Sequence, residues 1–534
     1  MKTTIKNLIL SAVLVVGGAS CVDLDTAPYD RETDLTYWEE DPEAAVKALN
    51  TCYTYLGNMD EQLYCEAMTD NAYTKQPNDA TQNIGNGSYS TADPYVKKVW
   101  DGRYTGIRMC NQLLENIDRV PDLDPELKKR YIGEAKVLRA YNYYELYTKF
   151  GDVPYTTKVL SIKESMSIAR TDRATVIANM LADLDEVING NYLPASYDAD
   201  NKGRITRWAA MAIKAKIYLF EGNWTQVKNI TSTIMTEGGF RLFGSYAGLF
   251  EIANEYNSEV ILDAQYRPTS REHQMMYAFL PPSLGGYSQL SPLQELVDSY
   301  IMLDGKTIRE TGTSFDESNP YANRDPRLKA TVMYTGNSYT LADGTEVVIN
   351  CEKGEGKDGY GVGSDCSATG YYIKKYWDNT YRATLYSGLN PILIRYADIL
   401  LMNAEALAEL GELDKTAWDA TIKPIRDRAG FTLASAVEFP EGASKDKLIE
   451  IVRNERRSEL ALEGHRHKDI IRWRIADDVL NGWCHGLKTN EVVGTDNGYV
   501  RVENRAFNAN KHYLWPIPQA ERDLNGNLVQ NPNW

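Results

Sequence analysis

Three glutamates recur every fourth residue in a charged stretch near the C-terminus: Glu455, Glu459 and Glu463. Carboxylates at this spacing share one face of a helix, where each like-charged pair costs about 0.2–0.5 kcal/mol. Runs of charge usually face solvent. Here, however, apolar residues fill much of the rest of the stretch: Leu460, Ala461, Leu462, Ile470, Ile471 and Trp473. We therefore predict a partly buried network of glutamates and arginines that fixes how this helix docks and takes no part in catalysis.

Two details of this helix follow from its sequence. Arg456 precedes Glu459 by three residues, so the two side chains are expected to pair. Gly464 comes directly after Glu463 and is expected to end the helix as a left-handed cap, a position that glycine fills without steric cost.

The histidines are the next candidates for chemistry, and none has the spacing of a metal site. They are His273, His465, His467, His485 and His512. His465 and His467 follow the predicted helix end, where hydrogen bonds to the local backbone account for them. The GxSxG motif of serine hydrolases does not occur either. The sequence therefore predicts no metal and no cofactor.

Hydrolysis of a glycosidic bond would need two carboxylates at a set separation in space. The chain has 74 acidic residues, and their order along the chain singles out no such pair. We predict that the protein is not an enzyme, with glycoside hydrolysis kept as an alternative.

One glycine-rich segment, Gly354–Gly359, has the letters of a dinucleotide-binding motif. That motif requires a strand before it and a helix after it. Two more glycines, Gly361 and Gly363, follow directly, and no helix can start there, so a flexible loop is predicted instead.

The composition bounds the class of protein. With 534 residues, of which 43% are hydrophobic, the chain is long enough for one large domain or two. A net charge of −16 argues against a nucleic-acid partner. Tyrosine outnumbers phenylalanine 36 to 10, which indicates many aromatic rings with one end in contact with water.

The first residues of the chain predict a targeting segment, Met1–Ser20. Lys2 and Lys6 give it a basic start, and its apolar stretch Leu8–Val16 is too short to span a bilayer. Small residues then precede Cys21, where a lipid would be attached after cleavage. An ordinary secretory signal cut after Ser20 fits the same residues. Residues 21–40 are predicted to form a tether.

Six cysteines remain beyond Cys21: Cys52, Cys65, Cys110, Cys351, Cys366 and Cys484. An even number in an exported protein permits disulfides but does not fix their pairing. The best candidate is Cys351–Cys366, because it would close a glycine-rich loop and contribute about 3 kcal/mol on the loop-entropy argument.

Most of the chain after Asp41 has the apolar spacing of helices. Small residues on two of these helices would let a partner approach closely, and each of the two is followed by a glycine turn and a further helix, as in tetratricopeptide-like repeats. The strongest predicted helices are Trp100–Ile117, Gly133–Tyr147, Arg207–Glu221 and Ile394–Leu410.

A less regular part lies between about residues 245 and 390. Proline pairs, glycine runs and short β-type segments fill it. Residues Tyr339–Asn350 predict a hairpin that turns at Asp343 and Gly344.

The charged stretch also carries a family resemblance. Glu455-Arg-Arg-Ser-Glu-Leu460 and Glu463-Gly-His-Arg-His-Lys-Asp-Ile-Ile-Arg-Trp473, together with Tyr513–Asn525 and Gln530–Trp534, resemble the SusD/RagB family. Its members are nutrient-binding outer-membrane lipoproteins of Bacteroidetes. Glu295–Tyr300 and Asn323–Leu328 also match family patterns, so the resemblance covers almost everything after the tether.

The resemblance implies a mostly α fold, in which a tetratricopeptide-like helical-repeat platform carries an irregular loop-rich half with short β-hairpins. It implies one SusD-like domain over residues 41–534 and favours lipidation of Cys21. The expected partners are an oligosaccharide or polysaccharide, the membrane through the lipid, and a SusC-like TonB-dependent outer-membrane transporter that receives the ligand. The protein would then lie on the outer membrane, facing the exterior.

Family ligand sites lie on the irregular half, near the loops ahead of the first long helix. Exposed aromatic rings suit sugars because they offer contact area with few rotatable bonds, and short polar side chains can bind hydroxyls. The residues predicted to bind ligand by this resemblance are Asp70, Asn71, Tyr73, Tyr89, Tyr287 and Trp377. The alternatives are a glycoside hydrolase and a structural or adhesion lipoprotein of the cell envelope.

Overall fold

The computed structural model of the chain describes residues 33–34, 36–75, 80–381 and 383–534. The predicted targeting segment, Cys21 and most of the predicted tether lie outside the described residues. Thr36–Glu40, which the sequence assigns to the tether, form a short π-helix that buries Trp38 in the core of the helical half. The folded part thus begins ahead of residue 41.

α-Helices form the frame of the fold. In chain order they are α1 (Ala44–Tyr53), α2 (Met59–Tyr64), α3 (Ala80–Asn86), α4 (Pro94–Asn116), α5 (Pro125–Phe150), α6 (Ile162–Ser165), α7 (Arg173–Asn189), α8 (Arg207–Phe220), α9 (Trp224–Glu237), α10 (Met275–Phe279), α11 (Gln294–Ser299), α12 (Pro326–Thr331), α13 (Tyr396–Leu410), α14 (Lys415–Ala420), α15 (Ile422–Ala429), α16 (Ala434–Val437), α17 (Lys445–Glu459), α18 (Arg466–Arg472), α19 (Ala476–Val479) and α20 (Gln519–Leu524). Short 3₁₀ turns cover Cys65–Met68, Ile117–Arg119, Ala199–Asn201, Gly248–Phe250, Ile252–Asn254, Pro282–Leu284 and Asn379–Tyr381.

The strands are short and pair only in antiparallel fashion within the described ranges. They are β1 (Ala72–Thr74), β2 (Val260–Asp263), β3 (Leu290–Pro292), β4 (Val332–Met333), β5 (Ser338–Thr340), β6 (Glu346–Val348), β7 (Tyr372–Ile373), β8 (Ile392–Arg395), β9 (Asn481–Lys488), β10 (Thr495–Asp496) and β11 (Tyr499–Ala506). β11 lies between β9 and β10, while β1 pairs with β3, β2 with β8, β4 with β7, and β5 with β6.

The long helices pack against one another as neighbours, which confirms the predicted mostly α fold class. α4 packs on α5, α8 on α9, and α13 on both α9 and α17. On α8 the small residues Ala209, Ala212 and Ala215 are buried at the contact. Asn223 caps α9 by accepting a hydrogen bond from the Gln226 backbone N–H, so the predicted turn between the two helices is confirmed.

The prediction of a helix from Ile394 is wrong for its first two residues. Ile394 and Arg395 belong to β8, where Ile394 pairs with Leu262 of β2. The Tyr396 backbone N–H donates to the Glu259 carbonyl before α13 begins. Branched apolar residues suit a strand as well as a helix, so the periodicity alone did not separate the two.

The irregular half occupies the region between α9 and α13 and has its own apolar core. The predicted hairpin is confirmed: Ser338 of β5 faces Val348 of β6, and Thr340 faces Glu346. Gly344 has a φ of 83° in the turn, a conformation that glycine adopts without steric cost.

Glu459, the last residue of α17, is 0% exposed and lies at the centre of a buried ion network. Its carboxylate accepts hydrogen bonds from Arg327 at 2.9 Å, from Arg395 at 2.6 Å and from Arg428. Burial alone would raise the pKa of Glu459, but Arg428, Arg395 and Arg327 outweigh it and hold the pKa well below its ordinary value. The predicted glutamate–arginine network is therefore confirmed.

The predicted pair between Arg456 and Glu459 is wrong. Arg456 donates instead to Asp398 at 2.6 Å and to Asp469 at 2.8 Å. Those two carboxylates lie on α13 and α18, so Arg456 joins α17 to its neighbours while Glu459 turns toward the irregular half.

The helix also ends five residues before Gly464, although Gly464 does adopt the left-handed conformation at a φ of 79°. Side chains donate hydrogen bonds to the backbone carbonyl groups that would accept backbone N–H groups in a longer helix. Arg395 donates to the Glu459 carbonyl at 2.8 Å, and the Tyr376 hydroxyl donates to the Leu462 carbonyl at 3.0 Å. These bonds replace the helical ladder beyond Glu459.

The predicted Cys351–Cys366 disulfide is wrong, because both residues are free thiols in the structure. Cys366 Sγ donates to the Lys357 carbonyl at 3.4 Å, and Lys75 Nζ donates to the Cys366 carbonyl at 2.9 Å. The glycine-rich loop is thus held by hydrogen bonds to its backbone.

Among the described residues, none of the helices combines the length and the apolar character needed to cross a bilayer.

Candidate functional site

A cleft of about 900 Å³ opens on the irregular half, a size within the usual range of ligand sites. We call it the tyrosine cleft, because five tyrosines line it: Tyr64, Tyr266, Tyr277, Tyr287 and Tyr386. They come from the end of α2, the segment around α10 and the loop before β8. The fold therefore gathers rings that lie far apart in the chain.

Three of these rings form a compact aromatic group. Tyr277 and Tyr287 stack with their centroids 5.8 Å apart and their planes 12° apart. Tyr386 meets Tyr277 edge-on, at 6.3 Å and 88°. Tyr287 is 47% exposed, so much of its ring surface is open to a ligand. Within the part of the chain that the structure describes, the hydroxyls of all three have no hydrogen-bond partner.

The local backbone explains how Tyr287 reaches this position. Pro281 and Pro282 start a 3₁₀ turn that Gly285 ends with a φ of 88°. A Cβ on Gly286 would overlap the Leu280 carbonyl oxygen, so only glycine fits the close approach there. The Tyr287 backbone N–H then donates to the Tyr277 carbonyl at 2.8 Å, which holds the two rings together.

Polar groups surround the rings. The Arg271 guanidinium lies 4.9 Å from the centroid of Tyr266, and no carboxylate of the described residues pairs with it. Gln289 accepts a hydrogen bond from the Tyr64 hydroxyl at 3.1 Å. Burial raises the pKa of Asp60, and burial lowers the pKa of His273 to about 4, so His273 is neutral near pH 7. The cleft thus offers apolar ring faces beside hydrogen-bonding groups of mixed charge.

Tyr287 is the one predicted ligand residue in the tyrosine cleft. Asp70 and Asn71 are buried and are held by arginines of the C-terminal region. Asp70 pairs with Arg466 at 2.8 Å and with Arg457 at 2.9 Å, and Asn71 accepts from Arg457 at 2.9 Å. Burial raises the pKa of Asp70, but the two arginines outweigh it and leave the pKa well below its usual range. Asp70 also lines a second cleft, separate from the first.

The other predicted aromatic residues lie outside the tyrosine cleft. Tyr89 is only 5% exposed and packs against His512 and Trp534, so the expected exposed ring is not found. Tyr73 lies on β1, where its hydroxyl accepts from Gln82 and burial raises its pKa to about 12. Trp377 packs on the β5–β6 hairpin, and its indole N–H donates to the Thr340 carbonyl at 2.9 Å. A role in ligand binding stays a prediction for all five of these residues: Asp70, Asn71, Tyr73, Tyr89 and Trp377.

Tyr64, Tyr266, Tyr277 and Tyr386 were not singled out by the sequence. The excess of tyrosine over phenylalanine was the only signal for them. Tyr277 in particular lies in the apolar run Met275–Phe279, which is typical of a core.

Within the described ranges, no group of three or more histidine, cysteine, aspartate or glutamate side chains is placed to hold a metal ion. Binding through ring faces and hydrogen bonds is the chemistry that the tyrosine cleft itself can perform.

Comparisons with known proteins agree along the whole chain. Residues 249–534 match the SusD family, and residues 37–219 match a family described as starch-binding and associating with the outer membrane. SusD-like protein P25 of Formosa agariphila is 27% identical over 566 residues, covering 99% of this chain and 98% of that protein. The crystal structure of a SusD-like carbohydrate binding protein from Bacteroides fragilis has a TM-score of 0.81 at 29% identity, covering 92% of this chain and 100% of that one. A second SusD-like structure from the same species has a TM-score of 0.81 at 27% identity, covering 95% and 100%.

The first of the two families thus matches more than half of the chain, and it includes the buried ion network and most of the tyrosine cleft. This chain belongs to the SusD family.

Proposed function

We propose that this protein binds oligosaccharides or polysaccharides at the cell surface and breaks no bond in them. The observation that carries the proposal is the tyrosine cleft, with stacked Tyr277 and Tyr287 and the perpendicular Tyr386 on one wall. A pyranose ring has apolar C–H faces that pack on aromatic rings, while its hydroxyls point outward from the rim. Family membership and the carbohydrate-binding relative support the same ligand class.

The residues of the tyrosine cleft would make different kinds of contact with a sugar. Tyr287 and Tyr386 supply exposed ring area that loses little side-chain entropy on binding. The hydroxyls of Tyr277, Tyr287 and Tyr386 donate to sugar hydroxyls, as does Arg271, while Glu272, which also lines the cleft, accepts from them. None of these contacts requires a covalent step.

We further propose that a lipid on Cys21 holds the protein on the outer face of the outer membrane. There it would pass its ligand to a SusC-like TonB-dependent transporter. The targeting segment before Cys21, the described association of the second matching family with the outer membrane, and the family resemblance support this proposal.

A panel of glycans tests the ligand class. Soluble starch and laminarin, a β-glucan of different linkage, are run in affinity gels, and their short oligosaccharides are titrated by calorimetry. We expect that at least one binds and raises the melting temperature, with no new reducing ends after prolonged incubation. Release of reducing ends would support the glycoside hydrolase instead. Binding of no glycan across a broad panel would leave the structural lipoprotein.

A further inference from the structure

A second cleft, of about 420 Å³, lies between α11, α17 and β9. None of its lining residues is shared with the tyrosine cleft. We call it the Trp483 cleft, because Trp483 at its rim is 44% exposed. Trp483 lies on β9, where the alternation of side chains points Cys484 inward and leaves the indole outward.

Contacts within the protein position the Trp483 indole but leave its exposed face and its N–H open to a ligand. The Arg501 guanidinium lies 5.5 Å from its ring centroid, and Asp496 holds that guanidinium through Arg501 Nε at 3.0 Å. Among the described residues, the Trp483 indole N–H has no hydrogen-bond acceptor. The ring and its donor are therefore both available to a ligand.

Polar side chains line the cleft beside the Trp483 ring. Arg457 and Asp70 form the floor, fixed by their 2.9 Å ion pair. Arg309, highly exposed, pairs with Asp298 at 3.0 Å on one side, and the exposed carboxylate of Asp478 lies on the other. The floor is rigid and the rim offers both donors and acceptors.

We infer that the Trp483 cleft is a second carbohydrate site, which takes a neutral sugar with its apolar face on the indole. Four carboxylates (Asp70, Glu295, Asp298 and Asp478) and three guanidinium groups (Arg309, Arg457 and Arg505) line it, so its charges nearly cancel and favour a neutral ligand over a charged one. Carboxylates paired with arginines suit neighbouring sugar hydroxyls, which both donate and accept. The apolar area is confined to one indole and a few aliphatic groups, too little for a protein interface of ordinary size. This inference rests on the proposed glycan-binding function.

Calorimetry with short oligosaccharides from starch and laminarin tests it on the full folded domain. With each oligosaccharide that binds, we expect two sites per chain in the unaltered protein. Trp483→Ala should leave one site, and so should Tyr287→Ala. Trp483→Phe keeps a ring and should keep both sites. Val493→Ala, at the exposed tip of the same sheet, should change nothing.

A second variant guards against a local folding effect. Asp478→Asn leaves the indole in place and should weaken binding at the second site at least about fivefold. Equal melting temperatures of the variants would show that the fold is intact.

The outcomes separate this inference from the function it rests on. If Trp483→Ala leaves both the stoichiometry and the affinities within about twofold, the Trp483 cleft is not a sugar site. If Tyr287→Ala has no effect while Trp483→Ala abolishes binding, the tyrosine cleft is not a sugar site. The assignment of the Trp483 cleft as a sugar site is then supported. If no glycan of the panel binds the unaltered protein, both ideas fall.

Discussion

Glu459 and Arg395 are in direct contact in the interior, with Oε1 of the glutamate 2.6 Å from Nη1 of the arginine. Glu459 ends α17, and Arg395 ends β8, 64 residues earlier in the chain. This pair, together with Arg327 and Arg428, joins the helical half to the irregular half that carries the tyrosine cleft.

Removing the carboxylate should therefore leave three buried guanidinium groups with too little compensating charge. We expect Glu459→Ala to lower the free energy of unfolding by about 3–5 kcal/mol. Glu450→Ala on the same helix is the control, because Glu450 is exposed and pairs with Lys447 at the surface, a contact worth under about 1 kcal/mol. Chemical denaturation of both variants gives the comparison, and equal small losses would mean that the network contributes little.

Gly286 is expected to control binding although it cannot touch a ligand. A Cβ there would overlap the Leu280 carbonyl, so Gly286→Ala should shift the backbone of Tyr287 and cost about 1–3 kcal/mol of stability. Glycan affinity should fall at least about fivefold. Gly363→Ala is the control, because a Cβ at that glycine meets open space. Unchanged affinity in Gly286→Ala would remove Tyr287 from the binding wall.

Tyr89 should behave as a core residue. Its ring packs between His512 and Trp534, and truncation of a buried aromatic residue costs about 3–5 kcal/mol. We expect Tyr89→Ala to lower the melting temperature by several degrees. Tyr192→Ala, a half-buried tyrosine on the helical half, should lower it far less. Weakened glycan binding at an unchanged melting temperature would instead support the predicted ligand role of Tyr89.

His485 predicts a pH dependence. It hydrogen-bonds Glu295 through Nδ1 at 2.7 Å and Asp496 through Nε2 at 3.0 Å, and these carboxylates raise its pKa above the ordinary 6.5 despite partial burial. A raised pKa in the folded state adds stability that is fully present below about pH 6.5 and is lost as pH rises through the higher folded value. Replacing His485 with glutamine should therefore cost more stability at pH 5.5 than at pH 8.5.

The buried histidines have the opposite effect on stability. The quantity to measure is therefore the difference in the free energy of unfolding between the unaltered protein and His485→Gln at each pH. Burial lowers the pKa of His465 and His467 to about 3. Both must take up protons on unfolding below about pH 6.5, which destabilises the fold in acid. They are present in both proteins and cancel. If the free energy of unfolding of the two proteins differs by the same amount at pH 5.5 and pH 8.5, the raised pKa of His485 is contradicted.

The anchor can be tested by cell fractionation. Cys21→Ala should release the protein from the outer membrane, because each methylene of a buried lipid chain adds about 0.8 kcal/mol of membrane affinity. The test needs a strain that lacks the proposed SusC-like transporter, because binding to such a partner would retain the protein at the membrane. Unchanged membrane fractionation in that strain would mean that Cys21 is not the anchor.

The sequence predicted the helical half well because its signals are local. Arg207–Phe220 has regular apolar spacing and a capping threonine ahead of it, and these features need no distant partner. The strand at Ile392–Arg395 was missed because its pairing partner lies at Val260–Asp263, far away in the chain. Local patterns carry no information on such a pairing.

The candidate site was harder to predict for the same physical reason. Tyr64 and Tyr386 are more than three hundred residues apart, and only the finished fold brings them into one cleft. Asp70 looked like a loop residue with a free carboxylate, but its partners Arg457 and Arg466 come from the C-terminal region. Burial of a charged residue depends on partners that a local pattern does not contain.

The same long-range partners constrain the order in which the chain can finish folding. Arg327, Arg395 and Arg428 all precede Lys445 in the sequence, whereas Glu459, their shared carboxylate, follows it. Contacts between distant residues form late, since the chain must first close large loops. A chain that is cut or stalled before Lys445 would leave these three guanidinium groups with Asp325 and Glu259 as buried carboxylate partners, but without Glu455, Glu459 and Glu463. The irregular half would then lack part of its buried charge pairing until the last helices form, so completion of the C-terminus becomes the step that secures the ligand surface.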